Sequence, residues 1–218
     1  MNAVRAITQL VLAAALQGAA AQAADPATDL GWQLHASGQH AAALTRFRQA
    51  AARGDPLAQF NLAVMLLAGE GGPAGPSEGL IWLRRAAERG LPRAQHAMAA
   101  LHERGEHVPR SQEAATGWYR KAAEQGWRDS QVELATQHFL GRGAVRDERE
   151  AAHWYEQAAA QGHPGACYLI ASFYEHGRGV PRDLARAARW YARAAALGER
   201  GADLKARETR QLLLALDG

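Results

Sequence analysis

The side chains of this sequence that could do chemistry are nine histidines and one cysteine. His163 and Cys167 stand four residues apart, so a helix would place an imidazole beside a thiol, which a third orienting group could make nucleophilic. His96 and His102 stand six residues apart, off a shared helix face, and the sequence has no His-Glu-x-x-His pattern. We therefore expect no catalytic residue, no metal site and no cofactor.

An internal repeat of 36 residues organises most of the chain. Glycine recurs at this step from Gly54 to Gly198, and tryptophan recurs from Trp82 to Trp190. Paired alanines and an aromatic or leucine after each tryptophan keep the same register without insertion or deletion. The pattern predicts four full units, at 55–90, 91–126, 127–162 and 163–198.

Each unit contains two apolar stripes of helical period, separated by a glycine-rich loop. In the last unit, Ile170 and Tyr174 lie on the first stripe and Trp190 and Tyr191 on the second. Gly177 ends the first predicted helix, and a single pair this small cannot bury its apolar face alone. The sequence therefore predicts an all-α chain of stacked, antiparallel helix pairs, with the Trp-Tyr pair filling the space between units.

The two ends of the array differ from its middle. Residues 24–54 predict a shortened helix pair that caps the amino-terminal side, and residues 199–218 predict one charged and apolar helix that caps the other side. Before them, residues 1–23 have the pattern of a signal peptide, with an apolar run after Arg5 and cleavage expected after Ala23. We expect a periplasmic or secreted bacterial protein without a membrane span once the signal is removed.

The repeated residues resemble the Sel-1-like repeat, a relative of the tetratricopeptide repeat with a longer turn. The residues that carry the resemblance in 127–162 are Gly141, Gly143, Asp147, Ala151, Trp154, Tyr155 and Gly162. The resemblance implies a right-handed α-solenoid that acts as a scaffold for other proteins. Some exported members have a cysteine pair in each repeat and are linked to β-lactam binding. This chain has only Cys167, so we do not carry that activity over.

If the first helix of each pair lines the concave side, as in tetratricopeptide arrays, the variable positions of that helix form a partner-binding groove. The alternative is that these side chains pack against the neighbouring first helix. Exposed arginines in the loops form a second candidate surface, although a solvated face is the simpler interpretation. The predicted groove residues are Phe60, Val64, Arg93, His96, Glu103, Val132, Phe139, Tyr168 and Glu175.

The sequence thus favours an exported, non-catalytic scaffold or adaptor that binds a peptide or protein segment in the groove. The net charge is only +3, which gives little ground for nucleic acid binding. The alternative functions are a cell-wall- or β-lactam-related hydrolase and a peptidoglycan- or sugar-binding module. The sequence contains neither a Gly-x-Ser-x-Gly elbow nor a phosphate-binding loop, and their absence counts against the hydrolase. The partner and the oligomeric state stay open, as does pairing of Cys167 between chains.

Overall fold

The computed structural model describes residues 25–216, so the signal-peptide prediction at 1–23 lies outside the described residues. The described part contains eleven α-helices and no strand, which confirms the predicted all-α class and its helix pairs. None of these helices has the length and apolar character needed to cross a bilayer. The helices are α1 (Pro26–Ala36), α2 (His40–Ala52), α3 (Pro56–Ala68), α4 (Pro76–Glu88), α5 (Pro92–Arg104), α6 (Gln112–Glu124), α7 (Arg128–Leu140), α8 (Glu148–Ala160), α9 (Pro164–His176), α10 (Leu184–Ala196) and α11 (Ala202–Leu216).

Local sequence signals set the ends of these helices. Gly141 and Gly177 end α7 and α9 in the left-handed conformation, with φ values of 68° and 69°. Asp147 accepts hydrogen bonds from the backbone N–H groups of Arg149 and Glu150 at the start of α8. The Glu150 carboxylate accepts instead from Trp154, so the capping-box spacing of Asp147 and Glu150 yields only half of that motif.

The chain forms two compact units, which are described separately. The first extends to Arg110 and contains α1 to α5, in which each helix packs against the next. Its core joins alanines to larger side chains such as Phe47 and Leu62, which are 1% and 0% exposed. The alanines let the helix axes approach closely, so burial in this unit depends on small side chains as much as on large ones.

The second unit, from Ser111 onwards, contains α6 to α11 in the same consecutive packing. Tyr119, Tyr155 and Tyr191 are buried as the sequence predicts, each 1–2% exposed. The tryptophans beside them are only half-buried. The Lys121 ammonium lies 4.2 Å from the ring centroid of Trp118, a cation–π contact on the outer side of the helix. The tyrosine of each Trp-Tyr pair therefore fills the core, while the tryptophan covers its edge.

In three of the pairs, the loop between the two helices packs on the start of the second helix of the preceding pair. A side chain at Gly143 would overlap the carbonyl of Gln112 at the start of α6, and one at Gly179 would overlap the carbonyl of Glu148 at the start of α8. Both glycines also have positive φ, 64° and 63°. Glycine allows this approach of the two backbones at Gly143 and Gly179, whereas the equivalent position of the α5–α6 loop is His107, with a φ of 58°.

Candidate functional site

In the first unit, Phe60 lies inside the core and does not line an open surface. Its side chain is 2% exposed, and the Arg93 guanidinium from α5 lies 5.9 Å from its ring centroid. Burial lowers the pKa of Arg93 from its usual value. Val64, His96 and Glu103 are half-buried. The burial of Phe60 therefore favours a packing role for this side chain over a role in lining the predicted groove.

In the second unit, Phe139 retains an accessible face. The ring lies at the end of α7 and packs on Phe173 of α9, with the centroids 5.4 Å apart. Two guanidinium groups flank it, because Arg146 and Arg178 each lie 6.0 Å from its centroid. Val132, two turns earlier on the same face of α7, is half-buried against the core. We call Phe139, Arg146 and Arg178 the Phe139 patch.

Glu175 and Tyr168 belong to a network that holds the last three helices together. The Tyr191 hydroxyl of α10 donates to Glu175 Oε2 of α9 over 2.7 Å, and Lys205 Nζ of α11 lies 3.8 Å from the other carboxylate oxygen. Burial, and then the Glu175 carboxylate, raise the pKa of Tyr191 far above its usual value. Tyr168 packs edge-on against Tyr191 with ring centroids 5.1 Å apart. This arrangement fixes helix packing in the carboxy-terminal part of the unit.

The loop arginines of the second unit have different surroundings. Arg182 donates from Nε to the carbonyl of Glu175 over 3.0 Å, and Arg146 pairs with Glu148 over 2.7 Å while its side chain stays 65% exposed. Among residues 25–216, Arg178 forms no ion pair, and its contact with Phe139 is the interaction found for it. Arg178 is therefore an exposed loop cation whose charge is available to a partner beside Phe139.

The His163 and Cys167 pair does not form a nucleophile. The Cys167 thiol is 0% exposed and donates to the carbonyl of Ala159 over 3.5 Å. Burial raises the pKa of this thiol, which disfavours the reactive thiolate. His163 Nδ1 accepts instead from the backbone N–H of Ala166 and caps α9. Both side chains thus have structural roles at the start of this helix.

One cluster of possible metal ligands in the first unit is not predicted by the sequence pattern. His35, His40 and Glu70 come together at the end of α1, the start of α2 and the loop after α3. Their spacing matches no metal-binding pattern. The repeat register offers one indication of the cluster. Glu70 directly precedes the loop glycine Gly71, and Gly71 packs on His40.

The repeats have clear counterparts in known proteins. The Sel1 repeat family matches residues 56–91, 92–127, 128–163 and 164–199, each one residue later than the predicted units. A protective antigen of uropathogenic Escherichia coli strains, which displays an SLR fold, is 31% identical with a TM-score of 0.81 over 87% of this chain. This chain spans 41% of the length of that protein.

A Sel1 repeat protein from Oxalobacter formigenes is 27% identical, with a TM-score of 0.69. The match covers 91% of this chain and 83% of the Oxalobacter protein. Among curated proteins, none matches this sequence significantly. The likeness to solved structures therefore supports the stacked helix pairs over nearly all of the described residues.

Proposed function

Because this chain belongs to the Sel1 repeat family, we propose that it is a non-catalytic scaffold that binds an acidic, partly apolar segment of another protein. The Sel1 repeat fold commonly mediates protein–protein interaction, and the family is generally non-catalytic. Stacked helix pairs offer variable side chains on a constant frame, which suits recognition of extended partners. Export to the periplasm or beyond the cell is part of the same proposal and rests on the sequence of residues 1–23.

The observation that carries the proposal is the pairing of an accessible aromatic ring with two cations. The ring of Phe139 can accept an apolar side chain, and the guanidinium groups of Arg146 and Arg178 can each take a carboxylate. Neighbouring Leu140 and Val145 are 45% and 86% exposed and extend the apolar area. A segment with an aliphatic or aromatic residue beside Asp or Glu matches this chemistry.

The other aromatic positions of the predicted groove are less suited to binding. Phe60 is buried beneath Arg93, and Tyr168 and Glu175 are engaged with Tyr191. A partner would have to break these contacts before it could use the side chains, which would cost part of the binding free energy. At the Phe139 patch a partner would have to displace only the exposed Arg146–Glu148 ion pair, which costs little, so we place the main binding determinant there.

The proposal is tested by selecting linear peptides from a displayed random library against the purified protein. Selected peptides should carry an acidic residue next to an apolar one. Phe139→Ala and the double variant R146E/R178E should each weaken their binding about tenfold or more, because central aromatic and arginine residues dominate such interfaces.

The matched control is the double variant R189E/R200E, which makes the same charge change at two other exposed arginines of the second unit. It should retain binding to within about twofold, since rim charges contribute little. Selection without enrichment of acidic residues, or equal losses in the two double variants, would overturn the assignment of the Phe139 patch. Helical circular dichroism would confirm that every variant is folded.

A further inference from the structure

Three side chains of the first unit converge to form a possible metal site. One ring nitrogen each of His35 and His40 and one carboxylate oxygen of Glu70 all lie within 4.8 Å of one another. We propose that this His35–His40–Glu70 cluster binds a zinc ion. The inference is independent of the Phe139 patch, because the cluster lies in the other unit.

The distances of the cluster suit a tetrahedral ion after a small contraction. His35 Nε2 already lies 2.9 Å from Glu70 Oε2. Ligands of a tetrahedral zinc ion, with bonds of about 2.0–2.2 Å, lie roughly 3.4 Å from one another. No two of the three ligand atoms lie more than 4.8 Å apart, so side-chain rotation has to shorten any separation by at most about 1.4 Å to reach the zinc geometry. Zinc would then replace the His35–Glu70 hydrogen bond as the link between the two side chains.

His40 has a polar atom that the protein leaves unsatisfied. Its Nδ1 atom is buried and finds no hydrogen-bond partner among the described residues. A buried ring nitrogen without a partner destabilises the folded state, since it loses its hydration and gains nothing in return. A metal ion coordinated by His40 Nδ1 would fix the imidazole and remove that cost, which the His35–Glu70 hydrogen bond by itself does not do.

The surrounding packing holds the first ligand rigidly. The His35 ring lies edge-on to Trp32, with centroids 5.9 Å apart, and Trp32 lies edge-on to Phe47 at 5.8 Å. The side chains of His35 and Glu70 are 14% and 28% exposed. The His35 ring is therefore packed against aromatic side chains, while part of His35 and Glu70 stays exposed to solvent. An ion can enter from that exposed side and retain a water as its fourth ligand.

The ligand set arises from the shortened first pair. Only residues 37–39 connect α1 to α2, whereas seven residues connect the helices of every later pair. This tight turn places His35 beside His40, with ring centroids 4.8 Å apart. In the loop of the next pair, Gly71 packs on the His40 backbone, and this contact places Glu70 beside the two histidines.

The same loop contact recurs in the second unit without metal ligands. There Gly143 packs on Gln112 and Gly179 packs on Glu148, and arginine precedes each of these glycines. A guanidinium offers no electron pair to a cation. Among residues 25–216, only the cluster in the first unit brings three such ligands together.

The donor atoms select the metal. Two imidazoles and one carboxylate form the His₂Glu set that zinc accepts with a water in the fourth position. Magnesium and calcium prefer six or more oxygen ligands and would find too few here. We therefore expect one zinc ion per chain and no binding of magnesium or calcium at the cluster.

Isothermal titration of the chelator-treated protein with ZnCl₂ tests the proposal. The wild-type chain should bind one ion per molecule, and CaCl₂ and MgCl₂ should produce no comparable heat. His35→Gln, His40→Gln and Glu70→Gln should each weaken zinc binding about tenfold or more, because each removes one of three protein ligands. The matched control His153→Gln removes an exposed histidine of α8 and should leave the affinity unchanged.

Zinc should also raise the thermal unfolding midpoint of the wild type and not that of the three cluster variants, since a ligand of the folded state stabilises it. Absence of binding to the wild type, or equal affinity in the cluster variants and His153→Gln, would overturn the proposal. If a variant fails to fold, anomalous diffraction from zinc-soaked wild-type crystals decides: a peak between His35, His40 and Glu70 supports the site, and a peak only elsewhere refutes it.

Discussion

The loop within a helix pair occurs in both units with glycine at the same position and different side chains beside it. In the first unit, Gly71 packs on His40, and in the second, Gly179 packs on Glu148. The residue before the glycine is Glu70 in one case and Arg178 in the other. The first location gathers metal ligands, whereas the second places a cation over Phe139.

The comparison shows how a repeat separates structure from recognition. Glycine occupies this position in three of the four full repeats, and at each of the three a side chain would overlap the backbone of the preceding pair. The neighbouring positions face outwards and are free to change. A conserved frame can therefore present a carboxylate in one pair and a guanidinium in another, without a change in the helix packing.

The largest expected effect is on the shared glycine contact itself. Gly179→Ala should lower the free energy of unfolding by about 3 kcal/mol or more, because its Cβ would overlap the Glu148 carbonyl and φ is positive. Gly198→Ala is the matched control, since that glycine has φ 85° but open space around it. It should cost roughly 1 kcal/mol. Urea denaturation measures both, and equal losses would contradict the role given to the loop contact.

The repeated tyrosine gives a second comparison, between equivalent positions with different partners. Tyr191→Phe removes a hydrogen bond to the Glu175 carboxylate and should cost about 2 kcal/mol. Tyr155→Phe removes the bond to the Thr136 hydroxyl and should cost about 1 kcal/mol, because neutral partners contribute less. Denaturant titration of the two variants checks the order, and a larger loss for Tyr155→Phe would refute it.

The amino-terminal cap of α9 predicts a pH dependence. Burial first, and then the Arg128 charge, lower the pKa of His163, while Asp129 and Glu199 oppose this shift. A lowered pKa means that the stabilisation is complete above the unfolded value of about 6.5 and is lost as pH falls through the folded value. The free energy of unfolding of the wild type, relative to that of His163→Asn, should therefore fall as pH falls below about 6.5, as measured by urea denaturation. A difference that rises in acid would contradict this.

The smallest effect concerns the exposed cap of α8. The backbone N–H groups of Glu150 and Arg149 lower the pKa of Asp147, so its contribution is present above the unfolded value and is lost as pH falls through the lower folded value. Asp147→Asn keeps a capping side chain and removes only the charge. The variant should be less stable than the wild type at neutral pH and equal to it in strong acid, as measured by thermal unfolding.

The periodic residues predicted the helix pairs correctly. The 36-residue spacing of glycines and aromatics placed every internal helix within its unit, and Asp147 and Asp183 cap the helices that follow them. These signals are local: a helical stripe, a cap and a left-handed glycine each depend on a few neighbouring residues. The signal peptide stays a prediction, since it lies before the described residues.

The exposure of the predicted groove residues could not be read from the sequence. Phe60 and Phe139 are both phenylalanines at variable positions of a first helix, yet one is 2% exposed and the other keeps a face open beside two arginines. Their difference depends on the side chains that arrive from the next pair. The burial of each ring therefore could not be predicted from its own helix.

The sequence by itself determined the stack of helix pairs, because helical period and turn residues act over short distances and were repeated four times. Only the tertiary structure decided which side chains meet. His40 and Glu70 stand thirty residues apart and come together because a loop glycine lets two backbones touch. Convergence across that distance depends on packing between pairs, and no local pattern encodes it.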